Sequence, residues 1–427
     1  MTEPDALPRH PLRFANFRAY LVGRLAAVLA QYGMMIVLGW QAYNIARETM
    51  TTAGASAQLG LIGLAQFLPL FFLTPVTGWV ADHYDRRIIT RVTLTLLTAA
   101  SALLAFATYE GWVSLPLIFG MAVVVGIARA FNGPAYGALA PNLVPAAVLP
   151  NAIAISSVVW QVGMIAGPAL GGYAYAATPW GAYAMAAGLF AVALCAMLMI
   201  GPVPQPPRDM GRHPIRQMID GFTYVKGNRL VLATITLDLF AVLLAGATAL
   251  LPVYARDILH VGSAGLGHLA AAPGIGAGLT ALWFSFRPMK REVGLKMLGA
   301  VILFGIATII FGCTAFLPRD LAMEVGLGAL AVLGGADMVS VFVRQSLVQL
   351  HTPDAMRGRV SSLSQLTISA SNELGEFESG VTAAWWGVVP SVVVGGIGTI
   401  CVALVFARIF PQLRGVDSLA PEELIRK

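Results

Sequence analysis

The sequence predicts an all-α membrane protein with about twelve transmembrane helices in two pseudo-symmetric six-helix bundles. Three observations carry that expectation. Hydrophobic types make up 57% of the 427 residues and charged types 11%, against about 25% charged in soluble domains, and the mean hydropathy is +0.75. Apolar segments of spanning length recur from end to end. The second half also echoes the first at a constant offset.

The spans fall at roughly 16–46, 58–80, 89–109, 112–138, 151–177, 180–201, 230–255, 263–286, 295–316, 321–347, 360–384 and 388–410. Each holds about 20 or more mostly apolar residues, enough to cross a hydrocarbon core about 30 Å thick. The first is too long for a signal-peptide core and more spans follow, so it is read as a retained helix. Of the 27 Lys and Arg residues, 21 fall in segments placed inside when the N-terminus is cytoplasmic, and only Arg47, Arg256 and Arg319 fall in outside loops. That asymmetry predicts both termini in the cytoplasm. It also explains the formal charge of +6 as topology, so no nucleic-acid partner is expected. The three cysteines and six histidines are scattered, without the spacing of a disulfide framework or a metal site. No metal and no cofactor is expected.

The first span carries polar groups on a shared face. Arg24 and Gln31 are seven residues apart, with Tyr32, Gln41 and Asn44 nearby. With Trp160 and Gln161 of the fifth span they are candidates for a roomy solute cavity. The loop after the second span reads GWVADHYDRRIIT. Gly78 permits close helix approach, and Asp82 is an anion able to sit at a neighbouring helix N-terminus. In the fourth span, ARAFNG places Arg129 deep in an apolar run, where a cation is costly unless it faces water or a carboxylate. In the fifth, GMIAGPALGG supplies Gly163, Gly167, Pro168, Gly171 and Gly172, a helix able to kink and to let a partner bundle pack closely.

The longest break, 202–229, begins PVPQPP, which cannot continue a helix. Ile215, Met218, Ile219, Phe222 and Val225 then recur at helical spacing, with Arg212, Arg216 and Lys226 off that stripe. This predicts an amphipathic helix at the membrane interface. The expected organisation is an N-terminal bundle over 1–201, a linker over 202–229 and a C-terminal bundle over 230–427. At an offset of 208 positions, Gly126 falls on Gly334, Pro145 on Pro353, Ser156 on Ser364, Gly167 on Gly375 and Gly172 on Gly380. Duplicated bundles are a hallmark of secondary transporters.

The second half holds the intramembrane acids. Asp238 lies about eight residues into the seventh span. Asp337 lies in the tenth, with Arg344 seven residues later on about the same face, and an Asp337–Arg344 or Asp337–Arg129 pair is expected. The eleventh span reads ASNELGEFESG. Each carboxylate at a helix centre costs about 2.5–3.5 kcal/mol on insertion scales, so these groups are expected to face protein or water. Glu373 and Glu376, at i and i+3, share a face. Glu378 points elsewhere, nearer the aromatic belt of Trp385 and Trp386. Two nearby carboxyls in a dry site do not both ionise easily, which makes Glu373 or Glu376 the expected carrier of a coupled proton, with Asp238, Asp337 and Arg129 as further coupling candidates.

The motifs together resemble the major facilitator superfamily, over essentially the whole chain. Gly78, Asp82, Arg86 and Arg87 are similar to its Gly-x-x-x-Asp-x-x-x-Arg-Arg loop, departing at His83, where Arg is usual, and at Asp85, where Gly is usual. The resemblance implies a latch between this loop and the eleventh span, to which Arg357 and Arg359 would add pairing. Arg129, Asn132 and Gly133 resemble the Arg-x-x-Gln-Gly element of proton-driven exporters, with Asn132 for Gln; Asn132 joins the solute-cavity candidates. The fifth-span glycines resemble the Gly-Pro-x-x-Gly-Gly signature of drug antiporters. The branch that fits best holds enterobactin-exporter-like and macrolide-efflux-like proteins. It implies a monomer in a bacterial cytoplasmic membrane, exchanging protons for a hydrophobic or amphipathic small molecule, drug-like or siderophore. Uptake by proton symport, a lipid flippase and a non-transporting sensor or scaffold are the competing readings. An enzyme is not expected, because no nucleophile–His pair appears, and no Gly-x-x-x-x-Gly-Lys loop for ATP is present.

Overall fold

In the computed structural model, residues 10–137, 139–202, 214–287, 289 and 291–419 are described. The chain runs through α1 (Ala15–Thr49), α2 (Thr52–His83), α3 (Arg86–Tyr109), α4 (Leu115–Gly137), α5 (Leu149–Ala177) and α6 (Pro179–Leu198). It continues through α7 (Pro214–Gly227), α8 (Arg229–Leu244), the short α9 (Leu251–Val253), α10 (Gly262–Phe286), α11 (Val293–Cys313), α12 (Arg319–Leu350), α13 (Asp354–Trp386), α14 (Val388–Ile409) and α15 (Pro411–Gly415). Among the described residues no strand is present.

Eleven segments are long and apolar enough to cross a membrane. They match eleven of the twelve expected spans. The remaining one is α13, a helix of 33 residues whose arginines and glutamates pull its hydropathy down. The expectation of about twelve spanning helices therefore holds, and the charged one needs protein neighbours to sit there.

The helix ends follow local chemistry. Asp85 caps α3 by accepting from the Arg87 amide at 2.9 Å. Asn228 caps α8, its side-chain oxygen accepting from the Leu230 and Val231 amides. Such caps satisfy amides that the first turn leaves open. Between α13 and α14, Gly387 adopts φ of 91°, a conformation that glycine takes without strain. The seventh span is interrupted after Leu244, restarts at Leu251 in α9, and widens into a π-turn over Tyr254–Ile258. The amides at the start of α11 are met by the chain end: Val293 and Gly294 donate to the carbonyls of Asp417 and Val416, and Glu292 donates to the Asp417 carboxylate.

Two compact units form. Unit 1 comprises residues up to 38 and 68–211, and unit 2 comprises 39–67 and 212–427. The first half of α1 belongs to unit 1 and its second half to unit 2; α2 divides the other way, near residue 67. In unit 2, α8, α11, α12, α14 and α15 enclose a core that includes Leu237, Met297, Val301, Val343, Leu347 and Leu413.

The amphipathic α7 forms, but its apolar stripe splits. Gly221 and Val225 are buried against α13, and Tyr224 donates to the His351 carbonyl at 2.9 Å. Ile219 and Phe222 are exposed. Arg212 and the side chains of Ile215 and Arg216 lie outside the described residues.

Candidate functional site

In unit 1 the fifth-span glycines bring α5 against α1. A Cβ at Gly163 would lie 2.6 Å from Val28, one at Gly167 would lie 2.9 Å from the Leu29 carbonyl oxygen, and one at Gly171 would lie 2.6 Å from the Gly33 carbonyl oxygen. Three small residues at i, i+4 and i+8 thus let two backbones meet. Pro168 and Gly172 are buried on the same helix. The close approach sets Tyr32 of α1 edge-on to Trp160 of α5, with centroids 6.3 Å apart at 79°. Arg129 lies on α4 of the same unit. Gln31 and Gln161 are half-buried on the same two helices. Asn132 accepts from the Thr93 hydroxyl at 3.3 Å. The Tyr32–Trp160 ring pair thus sits where α5 meets α1, the two helices that also carry Gln161 and Gln31.

Arg24 is occupied differently. It donates to the Tyr20 hydroxyl at 3.0 Å, and Tyr20 in turn meets the Ser156 hydroxyl at 3.3 Å. This knot of Tyr20, Arg24, Ser156 and Tyr136 was not foreseen as a unit. The Tyr20–Arg24 spacing of four residues was its one visible signal.

Unit 2 holds three polar centres. In the first, α13 lies against α2 and α8. A Cβ at Gly375 would lie 2.9 Å from the Val242 carbonyl oxygen, and one at Gly380 would lie 2.6 Å from the Gly60 Cα. A Cβ at Gly63 would lie 2.9 Å from the Glu376 Oε2, so Glu376 rests on the bare backbone of α2. Glu373 is 3% exposed. Glu378 faces elsewhere, half-buried, and accepts from Ser379 at 3.5 Å.

The second centre joins α8 and α12. Arg344 pairs with Asp238; the sequence had offered Asp337 as its partner. The i, i+7 spacing correctly put Asp337 and Arg344 on one face, but the nearer acid comes from α8, which sequence spacing cannot reveal. Asp238, Asp337 and Ser340 line one small cavity with Val301 and Phe304 of α11.

The third centre lies where α1 ends. Tyr43 donates to Asp257 at 2.6 Å and Arg47 Nε donates to the same oxygen at 3.0 Å. Arg256 donates to the Asn44 side chain at 2.7 Å and stands 3.7 Å from Asp257. Asn44 is thus held by Arg256, whereas the sequence suggested a place near the solute. The signal for this centre was present: Arg47 and Arg256 are two of the three cations assigned to outside loops.

Comparison with known proteins follows this geometry. The family model for transmembrane secretion effectors matches residues 8–424. The chain belongs to that family, within the major facilitator superfamily. It is 26% identical over 413 residues to the enterobactin exporter EntS of Citrobacter koseri, covering 96% of this chain and 94% of that protein. It is 25% identical over 421 residues to enterobactin exporter EntS of Escherichia coli O1:K1 / APEC, covering 97% and 96%. In fold it is similar to a POT family transporter in complex with 5-aminolevulinic acid, with a TM-score of 0.71 at 15% identity, covering 94% of this chain and 97% of that one. A bacterial homologue of the human lysosomal transporter Spinster, in an inward-facing and occupied conformation, superposes with a TM-score of 0.70 at 15% identity, covering 93% and 97%. The protein is a multi-pass transporter of the bacterial inner membrane.

Where this secretion-effector transporter departs from the superfamily loop pattern, the departure has a structural consequence. Asp85, the residue in place of glycine, caps α3 and binds Arg87 at 2.5 Å. The Arg87 hydrogen bond holds the Asp85 carboxyl below the usual carboxylate range. Arg87 is therefore engaged locally. Arg359 donates to Asp220 of α7 at 3.1 Å, and Arg357 donates to the Gln349 carbonyl at 3.2 Å. Arg86 is half-buried at the start of α3. The surroundings of Gly78 and the side chain of Asp82 lie outside those described.

Proposed function

We propose that this transporter exports a bulky, amphipathic, aromatic small molecule in exchange for protons, by alternating access. The observation that carries the reading is the edge-on Tyr32–Trp160 pair in unit 1, the unit that also holds Arg129 within α4. Aromatic rings offer a face for stacking, and an intramembrane guanidinium offers charge to an acidic or phenolic solute. A catechol-bearing siderophore combines those features, and the relatives named as enterobactin exporters support that choice. Buried Asp238 and Glu373 in α8 and α13, with half-buried Asp337 in α12, support proton coupling, because a carboxyl that is neutral in a dry setting and ionised in a wet one carries a proton between them.

In this reading 1–201 and 230–427 rock as two bundles joined by the 202–229 linker, a monomer works alone, and both termini are cytoplasmic. Loop residues Gly78, Asp82, Arg86 and Arg87, with Arg357 and Arg359, form the cytoplasmic latch in a state of the cycle in which Arg87 has left Asp85 and Arg359 has left Asp220. The test uses everted membrane vesicles with enterobactin, a macrolide and ethidium as probes. Accumulation of at least one probe, abolished when the pH gradient is collapsed, is expected. Accumulation unchanged without the gradient, or probe movement only in the uptake direction, overturns the proposal.

A further inference from the structure

Among the described residues of unit 2, there is one buried cation, Arg344, for two carboxylates, Asp238 and Asp337, that face the same cavity. Asp337, Ser340 and Arg344 sit at i, i+3 and i+7 of α12, one above another on one face. Helical side chains lean toward the N-terminus of their helix, which directs Arg344 back along that face toward Ser340. Arg344 is 2% exposed and pairs with Asp238, itself 5% exposed. Its Nε has no hydrogen-bond partner among the described residues. Asp337 makes no ion pair or hydrogen bond to a described residue, and it shares with Asp238 and Ser340 a cavity whose volume open to a water centre is ≈ 10 Å³, room for about one water.

The surroundings add no second cation. Val301 and Phe304 are what α11 brings to the cavity. The stretch of α10 that meets this part of α12, residues 273–280, is Pro, Gly, Ile, Ala, Leu and Thr. On α13, Gly375 meets Val242 of the cavity wall, and the acids flanking that glycine are Glu373 and Glu376. With Asp337 ionised the cavity holds a net charge of −1; with Asp337 protonated it is neutral. A net charge in a mostly apolar cavity with room for about one water is disfavoured relative to a neutral, paired set.

We propose that Asp337 is a proton-binding site and that Arg344 is the switch that reports its occupancy, a reading that rests on the proton-exchange function above. In the loaded state the Asp337 O–H bond is intact and Arg344 serves Asp238 alone. On unloading, that bond breaks, the proton passes to the cavity water, and the new carboxylate accepts from the vacant Nε–H of Arg344. One guanidinium is then shared by two acids, the Asp238 pairing between α8 and α12 loosens, and water enters. Arg344 acts through its partners and is a positioning residue for the proton step.

The test compares wild type with Asp337→Asn, which mimics the loaded state, and Arg344→Lys, reconstituted in proteoliposomes. Asp337→Asn is expected to retain energy-independent exchange of a transported probe and to lose at least tenfold in accumulation driven by a pH gradient. Arg344→Lys, a point charge lacking the planar fork, is expected to keep coupling but to shift its pH midpoint. Undiminished gradient-driven accumulation by Asp337→Asn overturns the inference and leaves proton-driven export standing. Gradient-independent wild-type transport instead defeats the exporter reading itself. Should Asp337→Asn lose exchange as well, infrared titration decides. A protonated-carboxyl stretch present in wild type and missing from the variant supports the site, and identical bands in both overturn it.

Discussion

Two ion-pair centres in unit 2 use the same residue types in opposite settings. Between α8 and α12, Arg344 and Asp238 have side chains 3% and 7% exposed. At the end of α1, Arg47 and Asp257 are 27% and 21% exposed. The first centre has one cation and a second acid at hand. The second has two cations, a tyrosine hydroxyl and an amide around one acid. Redundancy near water makes a clasp that tolerates the loss of a member. A buried pair with no spare cation responds to every change of charge, which suits a coupling element.

Breaking the buried pair tests the contrast most severely. Arg344→Ala leaves Asp238 buried without its partner and is expected to lower stability by about 3–5 kcal/mol, read as a fall in Tm in detergent. Replacing both partners, Arg344→Leu with Asp238→Leu, is expected to recover most of that stability while transport stays lost. Recovery of transport in the double variant would assign the pair a structural role only.

The exposed clasp should yield less. A double-mutant cycle on Arg47 and Asp257 is expected to give a coupling of about 0.2–1 kcal/mol. That coupling should shrink between low and high salt, whereas the Arg344–Asp238 coupling should not. Equal salt sensitivity in both would erase the distinction.

The smallest effect is expected at Asp85. Its folded pKa is depressed by Arg87, so its contribution to stability is present above the unfolded value, about pH 4, and is lost as pH falls through the folded value. Asn caps a helix about as well as Asp, so Asp85→Asn isolates the charge. Wild type is expected to be slightly more stable at neutral pH, and the two Tm curves are expected to converge on acidification. Divergence at low pH would contradict this assignment.

How much of this was legible beforehand follows from the range of each signal. Periodicity and the arginine pattern marked the spans, because hydropathy and loop charge act locally. The glycines of α5 predicted a surface for a partner bundle, whereas they meet α1 of their own unit; the offset of 208 placed Gly375 as the counterpart of Gly167, and each meets an odd-numbered span of its own half, α1 at Gly33 and α8 at Val242. The acids of α13 were visible as a cost that needed neighbours. What they rest on was not visible: Gly63 under Glu376 comes from a helix more than 300 residues earlier. The partner of Arg344 was misread for the same reason, since Asp238 lies on another helix. On α7 the apolar stripe looked continuous because spacing cannot distinguish a residue facing α13, such as Val225, from one facing outward, such as Phe222.

The central claim, export in exchange for protons, is tested most directly by watching the protons. Purified transporter is placed in liposomes holding a pH-sensitive dye, with no imposed pH gradient, and an outward-directed gradient of a transported probe is applied. The account predicts proton movement opposite to the probe, proportional to its flux and absent in empty liposomes. Probe flux with no change in internal pH, or with protons moving alongside the probe, would contradict it.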